Sequence, residues 1–231
     1  SLADRIRRLK EKGRLAEAEE EIQRELKKNP DQPFLKMSLA DLCLRQDRLA
    51  QARILVEEVL SRDPQHPQAL TVLGDLFLKQ NSPKKALECF RQALAREPRD
   101  YLTLRSARAL KEMNRFAEAL EELDKVLVVK PKSFPFLKEK GLVLYKMKRF
   151  DQALEAFERA KEVSPQDPFV HKQVLLLRSR ERPEGQVLTE LQRVVSMDSK
   201  KDDPQMHGLL GQKLKDAGKV THELAEELAG E

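Results

Sequence analysis

Five prolines set the frame of this chain. Pro30, Pro64, Pro98, Pro131 and Pro165 recur at separations of 34, 34, 33 and 34 residues. A proline stops a helix because it lacks an N–H and its ring crowds the preceding turn. A regular series of such stops means one supersecondary unit used again and again. The unit is clearest from Pro67 to Pro98. There Leu70, Leu73, Gly74 and Phe77 lie at i, i+3, i+4 and i+7, one face of a helix. Asn81-Ser82-Pro83 breaks the chain, with Ser82 placed to cap and Pro83 suited to the first turn of a second helix. Ala86, Phe90, Ala93 and Leu94 form the inner face of that helix. Such a hairpin cannot cover its apolar face alone and needs a neighbour of the same kind.

The positions Gly74, Phe77, Ala86, Phe90, Ala93 and Pro98 recur in register. They return as Ala40, Cys43, Ala52, Val56, Val59 and Pro64, and as Ala107, Leu110, Ala119, Leu123, Val126 and Pro131. A further set is Gly141, Leu144, Ala153, Phe157, Ala160 and Pro165. This pattern resembles the tetratricopeptide repeat (TPR), a helical hairpin of about 34 residues. The resemblance implies an all-α fold, a right-handed superhelical solenoid of antiparallel helix hairpins. On that reading residues 1–32 are a partial N-terminal hairpin or cap, and residues 33–165 are four well-formed repeats. Residues 166–201 are a degenerate hairpin, in which Asp198-Ser199 stands where a proline is expected, and residues 202–231 are a short C-terminal helical pair.

Composition narrows the function. Charged residues make up 36% and are mostly intermixed, and the net charge is +5, which permits an acidic partner without demanding one. Cys43 and Cys89 fall in different repeats, so they form neither a disulfide framework nor a metal site. No apolar run reaches the ~18 residues of a membrane span. The start, Ser1-Leu2, lacks Met and reads as a processed or excised end, so the missing signal peptide leaves localisation open, with the free thiols favouring the cytoplasm. His222-Glu223 lacks the second His of a zinc helix, because Glu226 stands there. Gly208 to Lys213 has the wrong spacing for a phosphate loop. No Ser, Cys or Thr has a His at helical spacing to activate it. The chain therefore reads as a non-enzyme with no cofactor and no metal.

What remains is a surface. In the family that the pattern resembles, the first helix of each hairpin lines a concave groove. Mapped by position, the groove cations are Arg45, Lys79, Arg105, Arg108, Lys111, Lys138, Lys146, Lys172 and Arg180, against Asp41, Asp75, Glu112 and Glu139. The same mapping turns Met37, Ser38, Thr71, Val72, Leu104 and Leu142 towards the groove. Tyr101, Tyr145 and Phe169 interleave with the cations, the mixture of rigid aromatic and cation that interfaces favour. The expected peptide site is Tyr101, Arg105, Arg108, Lys138, Leu142, Tyr145, Phe169 and Lys172, and the expected partner is an acidic, apolar segment of a protein. The family's Lys/Asn carboxylate clamp is unsupported, because Asn29, Asn81 and Asn114 all fall at turns or ends. The alternative is a homo-oligomer formed head to tail through the C-terminal helices. Single-stranded nucleic acid is the weakest reading, since Asp41 and Asp75 share the face.

Overall fold

The structure, a computed structural model, describes residues 1–178. The degenerate second helix and the C-terminal pair expected after Arg178, with the His222 and Gly208 motifs, lie outside the described residues. Among the described residues there are helices and no strands. They are α1 (Leu2–Glu11), α2 (Leu15–Lys28), α3 (Pro33–Arg45), α4 (Leu49–Leu60), α5 (Pro67–Lys79) and α6 (Pro83–Arg96). Then follow α7 (Asp100–Glu112), α8 (Phe116–Val129), α9 (Phe134–Lys146), α10 (Phe150–Val163) and α11 (Pro168–Arg178). The odd-numbered helices are the first, or A, helices of the hairpins, and the even-numbered ones are the B helices. This is an all-α helical-repeat solenoid fold. The chain forms two compact units, Ser1–Glu122 and Leu123–Glu231.

The turns inside the hairpins repeat as faithfully as the prolines. Gly13, Asp47, Asn81, Asn114 and Lys148 all have positive φ, between 54° and 71°. Each sits just past an A helix. The next N–H then reaches the carbonyl five residues back: Arg14 to Leu9, Arg48 to Cys43, Ser82 to Phe77, Arg115 to Leu110 and Arg149 to Leu144, at 2.8 to 3.0 Å. This is the left-handed, 6→1 ending that satisfies the last carbonyls of a helix and reverses the chain. Asn and Asp tolerate that conformation through their short polar side chains, and Gly needs no tolerance. Lys148 has neither advantage.

The single 33-residue step has a local cause. α3, α5, α9 and α11 each begin three residues after a register proline, whereas α7 begins two residues after Pro98. The missing residue therefore comes out of the link before α7. α7 itself keeps the 13 residues of α3, α5 and α9.

In the first unit α3 packs on α4, α5 on α6, and α6 on α7, and α3 also lies against α5. Ala40, Cys43, Ala52 and Val56 belong to one core cluster and are fully buried. Phe90, opposite Gly74 in α5–α6, is fully buried too. A Cβ added to Gly74 would overlap the Phe90 ring, and one added to Gly141 would lie 2.7 Å from Phe157 Cε1. These glycines are therefore the seats of the two phenylalanines. In the second unit α9 packs on α10 and α10 on α11.

Several expectations need correction. Ser82 stands at the N-cap of α6, but its side chain makes no capping hydrogen bond, and its hydroxyl donates instead to the Gln80 carbonyl at 3.4 Å. Pro83 does open that helix. The cap that forms nearby is His66, whose Nδ1 accepts from the Ala69 N–H at 3.3 Å at the start of α5. Phe77 is only half-buried, held near two cations at 5.6 Å (Lys85) and 5.9 Å (Arg53), and Leu76 takes the fully buried place beside it. Met37, Ser38, Thr71, Val72 and Leu104 are buried rather than open to a groove. An A helix here is flanked by other helices, and the stripe left to solvent is narrower than the family mapping implies.

Candidate functional site

The site residues of the first unit lie along α7. Tyr101, Arg105 and Arg108 follow at i, i+4 and i+7 and so share one stripe. Tyr101 is 41% exposed. The Arg105 guanidinium sits 5.5 Å from the centre of the Tyr101 ring, within cation–π range. It is also held by a carboxylate of the preceding hairpin. Its Nε donates to Asp75 on α5 at 2.8 and 3.0 Å to the two carboxylate oxygens. Burial pushes the Asp75 carboxyl up, and this outweighs the downward pull of Arg105. Arg108 is exposed and has charged interactions of its own.

The site residues of the second unit lie on α9 and α11. Lys138, Leu142 and Tyr145 repeat the i, i+4, i+7 stripe on α9. Lys138 brings the two helices together: its ammonium lies 4.4 Å from the Phe169 ring centre and 5.5 Å from that of Phe134. It also reaches both Asp167 oxygens at 3.5 Å. Leu142 is half-buried, Tyr145 is 36% exposed, and Tyr145 packs edge-on against Phe150 with centroids 5.6 Å apart. Phe169 makes a second edge contact, with Phe157 at 6.4 Å. Lys172, one turn beyond Phe169 on α11, is half-buried.

The charges on these faces are thus largely spoken for. Lys10 on α1 reaches Asp41 on α3 at 2.5 Å, and Arg45 approaches the same carboxylate at 3.3 Å. Lys79 pairs with Asp47 at 3.1 Å, and Lys111 lies 3.8 Å from Glu112. Sequence reasoning counts nine cations against four acids and does not see the pairing. The signal is there: Lys10 to Asp41, Asp75 to Arg105 and Lys138 to Asp167 span 31, 30 and 29 residues. That is close to one repeat, the spacing that brings neighbouring hairpins side by side. Asp167 escapes the family mapping because it belongs to the loop before α11, where it also accepts from the Val170 N–H at 2.9 Å.

Among the described residues, no group of three or more His, Cys, Asp or Glu converges as metal ligands would. Cys43 and Cys89 are buried free thiols, and burial pushes the Cys89 thiol up to about 11. No helix among the described residues is long and apolar enough to cross a membrane.

Comparison with known proteins agrees with the repeat geometry. No curated protein matches the chain. Among solved structures, PilF of Pseudomonas aeruginosa superposes with a TM-score of 0.73 at 22% identity, over 85% of this chain and 88% of that one. A tetratricopeptide repeat protein of Parabacteroides merdae gives 0.68 at 17% identity, over 99% and 96%. YrrB, described as a TPR protein with an unusual peptide-binding site, gives 0.55 at 16% identity, over 86% and 98%. At these identities the likeness is one of fold. The sequence profile of the tetratricopeptide repeat protein 21 N-terminal ARM repeat matches residues 3–154, about two-thirds of the chain. With its proline register, its left-handed turns and its paired A and B helices, this chain belongs to that family of tetratricopeptide-type helical repeats.

Proposed function

We propose that the chain is a non-catalytic protein-interaction scaffold whose A helices hold an acidic, apolar segment of a partner protein. Helical-repeat arrays present extended surfaces for this purpose. The observation that carries the reading is the α9 stripe: Lys138, Leu142 and Tyr145 in line, with Phe169 and Lys172 of α11 beside them. Rigid aromatic rings offer burial at little entropic cost, and lysines offer charge to an acid. Lys138 is held by Asp167 only at 3.5 Å, so a partner carboxylate can compete for it. Arg105, held in a shorter two-oxygen contact by Asp75, serves the stripe on α7 by fixing Tyr101. YrrB, a TPR protein of similar fold with an unusual peptide-binding site, is a precedent for a peptide ligand.

The test is affinity capture from a source-cell lysate on the wild-type chain and on the Lys138→Glu/Lys172→Glu variant, each with and without nuclease. A protein retained by the wild type, lost by the reversal and indifferent to nuclease is the expected result. Equal retention by both proteins overturns the assignment of these residues.

A further inference from the structure

A cavity of about 520 Å³ opens in the second unit, where the α9–α10 turn meets the end of α11. It falls within the range of ligand pockets, roughly 300–1,000 Å³. Phe150, Leu154 and Leu177 supply its apolar lining; Lys148, Arg149, Asp151 and Gln152 supply the polar part.

Three observations bear on what it takes. The first is continuity. The α9 stripe ends at Tyr145, whose ring packs edge-on against Phe150, a wall of the cavity. The second is charge. Lys148 and Arg149 are exposed, neither is held in an ion pair among the described residues, and together they outnumber Asp151. Adjacent cations, one a planar guanidinium, suit a carboxylate. The third is rigidity. The Lys148 N–H donates to the Tyr145 carbonyl at 3.0 Å and the Arg149 N–H to the Leu144 carbonyl at 3.0 Å. The two cations are thus mounted on a fixed turn, which lowers the ordering cost of binding.

We propose that this cavity is an anchor subsite for the partner segment. It takes one apolar side chain against Phe150, Leu154 and Leu177 and the neighbouring carboxylate on Lys148 and Arg149. The proposal rests on reading the α9 stripe as a peptide surface, and it extends that surface past Tyr145.

The experiment pans a phage-displayed random peptide library on the full chain. Selected peptides are then titrated into the wild type, Lys148→Glu/Arg149→Glu and Lys138→Glu/Lys172→Glu. Lys148→Asn/Arg149→Gln replaces the first variant if its melting curve departs from wild type. Alongside, Gln152→Cys carries a benzophenone maleimide at the cavity. The expected peptides combine an acid with a neighbouring apolar residue, bind the cavity variant roughly tenfold more weakly or worse, and crosslink to the benzophenone. Peptides that lose affinity only for the α9–α11 variant overturn the subsite and leave the surface intact. Peptides indifferent to both variants, or no selected peptides at all, overturn the surface and the subsite with it. A benzophenone that captures only this chain's own residues in the presence of peptide shows the cavity to be filled from within, which also overturns the subsite.

Discussion

In the hairpin α5–α6 the A helix carries Gly74 and the B helix carries Phe90; one repeat earlier, α3 carries Ala40 and α4 carries Val56. All are buried, each pair within its own hairpin. One hairpin puts the volume on the B helix and clears the A helix to admit it. The other divides the volume between the two. The family pattern names both positions but not their coupling: a phenylalanine ring on the B helix needs a glycine opposite it, whereas the smaller valine leaves room for an alanine, because interiors tolerate neither voids nor overlap.

The largest effect should come from emptying the glycine's seat. Phe90→Ala is expected to cost about 3–5 kcal/mol, and Val56→Ala, which removes fewer carbons, roughly 2 kcal/mol. Denaturant midpoints at constant slope would read both. The two thiols offer a finer reading, since Cys43 belongs to one hairpin and Cys89 to the other. With the Cys89 thiol pushed up to about 11 by burial, it stays protonated and inert at pH 8 until its surroundings open. Phe90→Ala should therefore speed labelling of Cys89 more than that of Cys43. Equal acceleration would show that the hairpins open as one.

Next in size is Gly74→Ala. Its new Cβ meets the Phe90 ring, so a loss of about 1–3 kcal/mol is expected, although alanine is intrinsically the better helix former. Adding Phe90→Val should recover part of that loss by rebuilding the arrangement of α3–α4. A Gly74→Ala chain as stable as wild type would end the argument for coupling.

Smaller again is the Asp75–Arg105 clamp. Arg105→Leu leaves a mostly buried carboxylate without its partner and should cost about 1–2 kcal/mol. The corresponding change at Lys138, whose carboxylate stands 3.5 Å away, should cost less than about 1 kcal/mol while weakening partner binding more. The reverse order would move the binding stripe from α9 to α7.

The smallest effect is a gain. Lys148→Gly relieves a left-handed residue that lacks the chemistry for it and should add roughly 0.5–1 kcal/mol. Asn81→Gly, at the equivalent turn of α5–α6, should change little. Thermal melts of the two variants would separate them.

How much is legible follows from what each feature depends on. The prolines, the turns and the Gly–Phe positions are local or periodic, so a single sequence displays them. The clamps leave only a faint trace, a spacing of about one repeat, because Asp75 meets Arg105 only once two hairpins stand side by side. Burial of Met37, Ser38 and Glu139 escapes for a related reason. A position mapped onto a groove takes no account of what packs over its flank. Ser82 shows a different failure, since the right residue at a cap position need not turn its hydroxyl to the helix.

The fit of Gly74 to Phe90 also bears on how such a chain can change over time. The two residues stand 16 positions apart, as do Gly141 and Phe157, with the hairpin turn between them. A recombination joint placed inside that turn would marry a phenylalanine to an alanine helix, or a glycine helix to a valine, giving overlap in one daughter and a void in the other. A joint placed at the register prolines would transmit each pair whole. Duplication and exchange of repeats should therefore leave their seams between hairpins, and the heritable module is the hairpin rather than the helix.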